Sequence, residues 1–199
     1  MFEGDSSIVA VGRLSSGFTL VELLVVMAVG AILLAIAVPS LQSLFAANQL
    51  TALTDSFATA LSEARSEAAK LNISVQLTPT KGGTDWGSLG WTMLVVPNAG
   101  PVPAGMPGTL RTGAPVPAGY TLNSTASFSG GVTFDSTGRL AAGTLPGEFV
   151  ICQGPFPGTG GKAQMITVTT SGRVRVAQND PSSGYPIADD NTSVTTCTP

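Results

Sequence analysis

Glu22 is the only charged residue among the 21 from Phe18 to Val38, inside the run GFTLVELLVVMAVGAILLAIAVPS of residues 17–40. A lone carboxylate in hydrocarbon costs several kcal/mol unless a cation meets it, so an intramembrane acid points to a pairing function. Two cysteines, Cys152 and Cys197, offer a second chemistry. Neither belongs to a CxxC or metal-ligand spacing, which favours a structural reading. In an oxidising compartment a disulfide would close a loop of roughly 45 residues and contribute on the order of 4 kcal/mol in the chain-entropy model. Two free thiols are the other reading. A third grouping is basic. In MITVTTSGRVRV the alternation after the turn sets Val174 and Val176 on one side of a strand and Arg173 and Arg175 on the other. Lys162 adds a charge nearby, and no acid falls between residues 149 and 179. Arginines displayed together can neutralise phosphates. Residues 72–199 nevertheless hold six basic and six acidic side chains, so the opposing reading is the solvated face of a hairpin.

No catalytic grouping emerges. The chain has no histidine, which removes Ser-His-Asp and Cys-His activation and the commonest metal ligand. DSTG at Asp135–Gly138 matches an aspartic-protease triplet only loosely, has no second copy and reads as a turn. GTGGK at Gly158–Lys162 lacks the first Gly and the final Ser or Thr of a phosphate loop. Asp189 and Asp190 are adjacent and, with Asn191, read as a loop. We expect no catalytic residue, no metal site and no cofactor.

These side chains need elements to hold them. With 43% hydrophobic and 11% charged residues in 199, the chain is long enough for one domain and an appendage. The run from Phe18 to Val38 is long enough to span a bilayer, and the pattern continuing past Pro39 argues against a cleaved secretory signal. Arg13 is the only base before the run and Arg65 the first after it, which places the N-terminus in the cytoplasm and the rest outside. Beyond Pro39, apolar residues at Leu50, Leu53, Phe57, Leu61, Ala64, Ala68 and Leu71 recur at spacings of three and four, one helical stripe. Asp55, Glu63, Arg65, Glu67 and Lys70 occupy the opposite, solvated face. A helix over 18–71 would run roughly 80 Å, half in lipid and half packed on a domain. After Asn72 come short β-rich runs: ISVQL, WTMLVV, VTFDSTGRL, EFVIC and MITVTTSGRVRV. An antiparallel sheet is expected. Between Pro97 and Gly119, eleven of 23 residues are Gly or Pro, which reads as a long surface loop rather than a strand.

The run from Gly17 resembles the prepilin signature of type IV pilins and type II secretion pseudopilins. That resemblance implies cleavage by a prepilin peptidase after Gly17 and N-methylation of the new amino terminus, Phe18. Glu22 then becomes the fifth mature residue and pairs with the cationic amino terminus of a neighbouring subunit, an assembly register. The segment AANQLTALTDSFATALSEARSEAAKLNISVQL is similar to the helix-to-first-strand passage of GspH/FimT minor pilins, with its A-R-S-E-A pattern at Ala64–Ala68 followed by Asn72 and Val75. A weaker similarity continues through VTFDSTGRL, FVICQ and SGRVRV to the late cysteine, on the FimT side of the group. That group includes DNA-binding members with a G-R-x-R element, which Gly172, Arg173, Val174 and Arg175 match. The stretch MFEGDSSIVAVGRLSSG departs from the family's short basic leaders, carrying Glu3 and Asp5 against Arg13. Either the leader is unusual or translation starts later, at Val9 or Val11.

The resulting expectation is an α+β, pilin-like chain: leader 1–17, long helix 18–71 with its transmembrane part at 18–38, and an antiparallel β domain over 72–199. By resemblance it is a FimT-like minor pilin of the inner membrane, single-pass with a periplasmic C-terminal domain, which then enters a pilus or pseudopilus. Its implied partners are other major and minor pilins, the prepilin peptidase, the inner membrane and double-stranded DNA. The alternatives are a type II secretion minor pseudopilin, and a membrane-anchored binding module or enzyme that does not polymerise.

Overall fold

The structure, a computed structural model, describes residues 18–97, 102, 104–154, 161–181, 183–188 and 193–198. It contains one helix, α1 (Leu20–Leu71), then strands β1 (Ser74–Pro79), β2 (Trp91–Val96), β3 (Thr109–Gly113) and β4 (Tyr120–Ser124), a 3-10 turn at Ala126–Phe128, and β5 (Val132–Phe134), β6 (Gly147–Gln153), β7 (Lys162–Val168) and β8 (Val174–Val176). Two compact units divide the chain, residues 1–43 and 44–199.

In the first unit α1 begins with Thr19 as its N-cap. The Thr19 hydroxyl accepts the Glu22 N–H at 3.2 Å, and the Thr19 carbonyl accepts the Leu23 N–H at 3.2 Å. Glu22 therefore also sits where an acid favours the positive end of a helix. The side chains that follow are apolar on every side and exposed: Leu23, Val25, Met27, Ile32 and Leu34 among them. The most apolar 18-residue window has no buried residue. Pro39 lies inside α1. It has no N–H, so the Ala35 carbonyl loses its helical donor, but the helix does not stop there.

The second unit holds the core. Along α1, Leu50, Thr54, Phe57, Ala60, Leu61, Ala64 and Ala68 are buried, the stripe the three-and-four spacing predicts. Asn72 takes φ +52° and the Ile73 N–H reaches the Ala68 carbonyl at 3.2 Å, a left-handed cap that stops the helix. Eight strands then form two antiparallel four-stranded sheets, ordered β3-β2-β1-β5 and β4-β6-β7-β8. The inner faces meet α1 at an aromatic cluster. Phe57 presents its ring edge-on to Trp86, Trp91 and Phe149 at 5.8, 6.0 and 4.8 Å, and Phe128 stacks on Phe149 at 5.1 Å. The Trp86 indole N–H donates to the Ser124 hydroxyl, so its polar atom is satisfied within the core.

A smaller core lies on the other face of the second sheet. Val150, Cys152, Ala163 and Met165 are covered there by Ala177, Ala188, Val194 and Cys197 from the C-terminal tail. The tail is fastened by the Cys152–Cys197 disulfide, with Cα atoms 6.0 Å apart, and by Asn123, whose side-chain amide donates to the Cys197 carbonyl.

Two features differ from the sequence-based expectation. The single sheet is two sheets. The Gly/Pro-rich segment expected to be only a loop contains β3, which pairs with β2 through Thr92↔Thr112 and Met93↔Arg111. TLRTG is a mostly exposed edge strand, so it needs only one hydrogen-bonding neighbour and little apolar patterning.

Candidate functional site

Three sets of residues were singled out above, and the structure treats them differently. Gly17 lies outside the described residues, as do Asp189 and Asp190. Phe18 is 78% exposed just ahead of the capping Thr19, and Glu22 is exposed one turn later. The two cysteines are bonded to each other, and Cys152 is buried in β6.

The basic residues part company. Lys162 opens β7 opposite Gln153, whereas Arg175 in β8 faces Thr167 near the other end of β7. Five residues of strand separate the two places, about 17 Å, and an odd separation puts them on opposite faces of the sheet. Lys162 lines a hollow with Thr51 and Gln164 on the helix side. It is not part of a common patch with Arg175. Arg175 shares the outer face, and one cross-strand row, with Thr167 and Glu148, so a carboxylate stands two strands from it.

Arg173 stands where the turn before β8 ends. Strand β8 begins at Val174, and Gly172, two residues earlier, takes φ +75°, so Arg173 belongs to the turn and not to the strand, exposed as Arg175 is. The turn that carries it has a twin. In one, the Gly138 N–H donates to the Asp135 carbonyl at 2.9 Å and the Asp135 N–H to the Arg139 carbonyl at 2.8 Å. In the other, the Gly172 N–H donates to the Thr169 carbonyl at 2.8 Å and the Thr169 N–H to the Arg173 carbonyl at 3.1 Å. Each is a turn with a left-handed glycine closing a bulge and an arginine following it. The first is stiffened by the Asp135 carboxylate, which accepts the Thr137 and Arg139 N–H groups and the Thr137 hydroxyl. Against the desolvation of its position, those bonds hold Asp135 below the ordinary carboxylate range.

The twins dock on each other. The Leu140 N–H donates to the Thr170 carbonyl at 3.3 Å, and a Cβ on Gly172 would overlap the Gly138 carbonyl oxygen. Gly172 is therefore needed for close approach as well as for its φ. Helix α1 joins the pair through Arg65, whose Nε donates to the Gly138 carbonyl at 2.8 Å. The result is a hollow of about 370 Å³ lined by Ser62, Arg65, Ser66 and Ala69 of α1 and by Thr137, Gly138, Arg173 and Val174 of the turns. Reading Arg65 as part of a merely solvated helix face missed this; the signal available in the sequence was the repeated pair of hydroxyl residues before Gly-Arg at 136–139 and 170–173.

Among the described residues no three His, Cys, Asp or Glu side chains come together as a metal site. The family model for Type II transport protein GspH matches residues 53–172, and that for the prokaryotic N-terminal methylation motif matches residues 12–38. No curated protein matches significantly. Among solved structures, the chain is similar to the type IV minor pilin FimU of Pseudomonas aeruginosa strain PAO1 in two crystal forms. In space group P21 the identity is 25% and the TM-score 0.52, covering 69% of this chain and 96% of that one. In space group P65 the identity is 24% and the TM-score 0.50, covering 68% of this chain and 100% of that one. A long apolar helix that continues into an amphipathic one, an antiparallel β domain, the methylation motif and a family match over more than half of the chain agree: the protein belongs to the GspH family, the minor pilins of type IV pili and type II pseudopili, which are structural subunits and not enzymes.

Proposed function

We propose that this chain is a FimT-like minor pilin of a type IV pilus, processed between Gly17 and Phe18, assembled through Glu22 and able to contact double-stranded DNA. The observation that carries the assembly part is the first half of α1: a helix apolar on all sides with no buried residue in its most apolar window. Such a surface is stable only in lipid or against other apolar helices. Before assembly the positive-inside rule orients it with the N-terminus in the cytoplasm and residues 44–199 in the periplasm. Glu22 gives the packed state a register, because its carboxylate is compensated only where a neighbour's cationic amino terminus reaches it.

Processing is tested by co-expression with a prepilin peptidase. Mass spectrometry should find a chain starting at N-methylated Phe18, and Gly17→Ala should impair the cut; an intact leader beside active peptidase overturns the assignment. Glu22→Ala should leave membrane insertion intact and lower incorporation into filaments. A deletion strain imaged for pili and assayed for transformation and secretion separates this reading from the GspH-like pseudopilin.

The DNA part is supported by Arg173 and Arg175, both exposed. Among the described residues every buried one lies at Leu50 or beyond, so a fragment of residues 44–199 retains that core. It should bind duplex DNA without sequence preference, since phosphate contacts carry no sequence information. With two or three phosphates neutralised, log K should fall against log salt with a slope of roughly −2 to −3. Arg173→Ala with Arg175→Ala should remove most of that dependence; equal binding by the double variant overturns the DNA reading.

A further inference from the structure

Two arginines from distant parts of the sequence border one hollow with no acid among its lining residues: Arg65 of α1 and Arg173 of the second Gly-Arg turn. Like charges are brought together in a protein at a cost, and the surrounding acids are already engaged elsewhere. Glu63 pairs with Arg111, Glu67 pairs with Lys70 at 2.7 Å, and Asp135 is taken up inside its own turn. Arg65 uses its Nε on the Gly138 carbonyl, which fixes the guanidinium plane. Its terminal nitrogens and the Arg173 guanidinium have no partner among the described residues. Ser66 adds a hydroxyl one residue along. The lining positions 62, 65, 66 and 69 follow the spacing of a single helix face, and Ala69 leaves that face low enough for a group to settle.

Two planar donors and a hydroxyl around a hollow of about 370 Å³ match a tetrahedral oxyanion. We propose that this hollow is a phosphate-binding site in which Arg65 and Arg173 share one phosphate group, with Ser66 as a third donor. The source of the phosphate, a DNA backbone, rests on the DNA reading above; the site itself rests on its own geometry. It changes which residues act together. Arg173 works with Arg65 on the helix, and Arg175 on the outer face of the sheet contributes only long-range attraction. The docked turns and the Arg65–Gly138 bond make the cradle rigid before any ligand arrives, which reduces the ordering cost of binding.

The test uses the full chain in neutral detergent micelles and two probes. Inorganic phosphate is titrated while the arginine Nε–H signals are followed by NMR. The Arg65 and Arg173 signals should move together along one binding curve while those of Arg111 and Arg175 stay. Movement of neither, or of Arg175 instead, overturns the site. Duplex DNA is then added to the wild type, Arg65→Gln, Arg173→Gln and Ser66→Asp. Each single arginine variant should weaken binding about tenfold and flatten the salt slope by about 1, and the two together should do little more than either alone. Because Arg65→Gln also loses the bond to Gly138, Ser66→Asp gives an independent arm: it puts a carboxylate into the hollow from an exposed position and should abolish both phosphate and DNA effects at unchanged melting temperature. DNA binding that survives Arg65→Gln and Ser66→Asp overturns the site and leaves the DNA reading standing. Phosphate shifts at Arg65 and Arg173 without DNA binding support the site and remove the DNA reading.

Discussion

The two halves of α1 obey different rules in one unbroken helix. From Leu20 to Phe45 large apolar side chains point in all directions and stay exposed; from Leu50 to Ala68 the buried residues keep to one stripe and the charges to the other. A helix that is apolar all round has no preferred side, so within the chain it fixes no contact and is left for lipid and other subunits. An amphipathic helix commits one side. The second half has already used its apolar surface on Phe149, Trp86 and Trp91, and what it offers outward is polar. Contacts that build a filament and contacts that build a domain are thus written into consecutive turns with almost no overlap.

Substitutions can break or sharpen that division. The largest effect is expected for Phe57→Ala, which empties the centre of the aromatic cluster: about 4–5 kcal/mol and a fall of about 10–15 °C in the melting temperature of residues 44–199, read by circular dichroism. Cys197→Ser should cost about 4 kcal/mol in the same fragment by releasing the tail, with membrane partition of the full chain unaltered. Glu63→Gln removes an exposed pair with Arg111, each side chain about two-fifths exposed, and should cost no more than about 0.5 kcal/mol. Leu33→Ala, in the first half, should leave the melting temperature of the β domain unchanged in the full chain. A substantial shift from Leu33→Ala would show that the halves are energetically coupled and the division false.

Most of the helix was legible because its signals are local. Spacing located the buried stripe, although Thr54 and Ala60 joined it; Thr54 hides its hydroxyl on the Leu50 carbonyl. Strands β1, β2 and β5 to β8 fall on apolar runs. Strands β3 and β4 do not, because TLRTG is an exposed edge and YTLNS buries only Leu122 and Ser124. Which strands share a sheet is decided by pairings such as Val75↔Phe134 and Leu122↔Ile151, between residues far apart in sequence. The same limit governed the basic residues. Alternation counts along a strand but does not announce that Gly172 bulges, nor that Arg65, more than a hundred residues earlier, borders the same hollow.

The clasp at Cys152 imposes an order of events on maturation. Its partner, Cys197, belongs to the end of the tail, while Cys152 sits in the middle of the second sheet, buried under that tail. The sheet can assemble earlier, but the thiol remains accessible only while the tail is off. An oxidant must therefore reach Cys152 before the tail closes over it, and a chain whose tail is slow to dock keeps a reactive thiol and an uncovered apolar face.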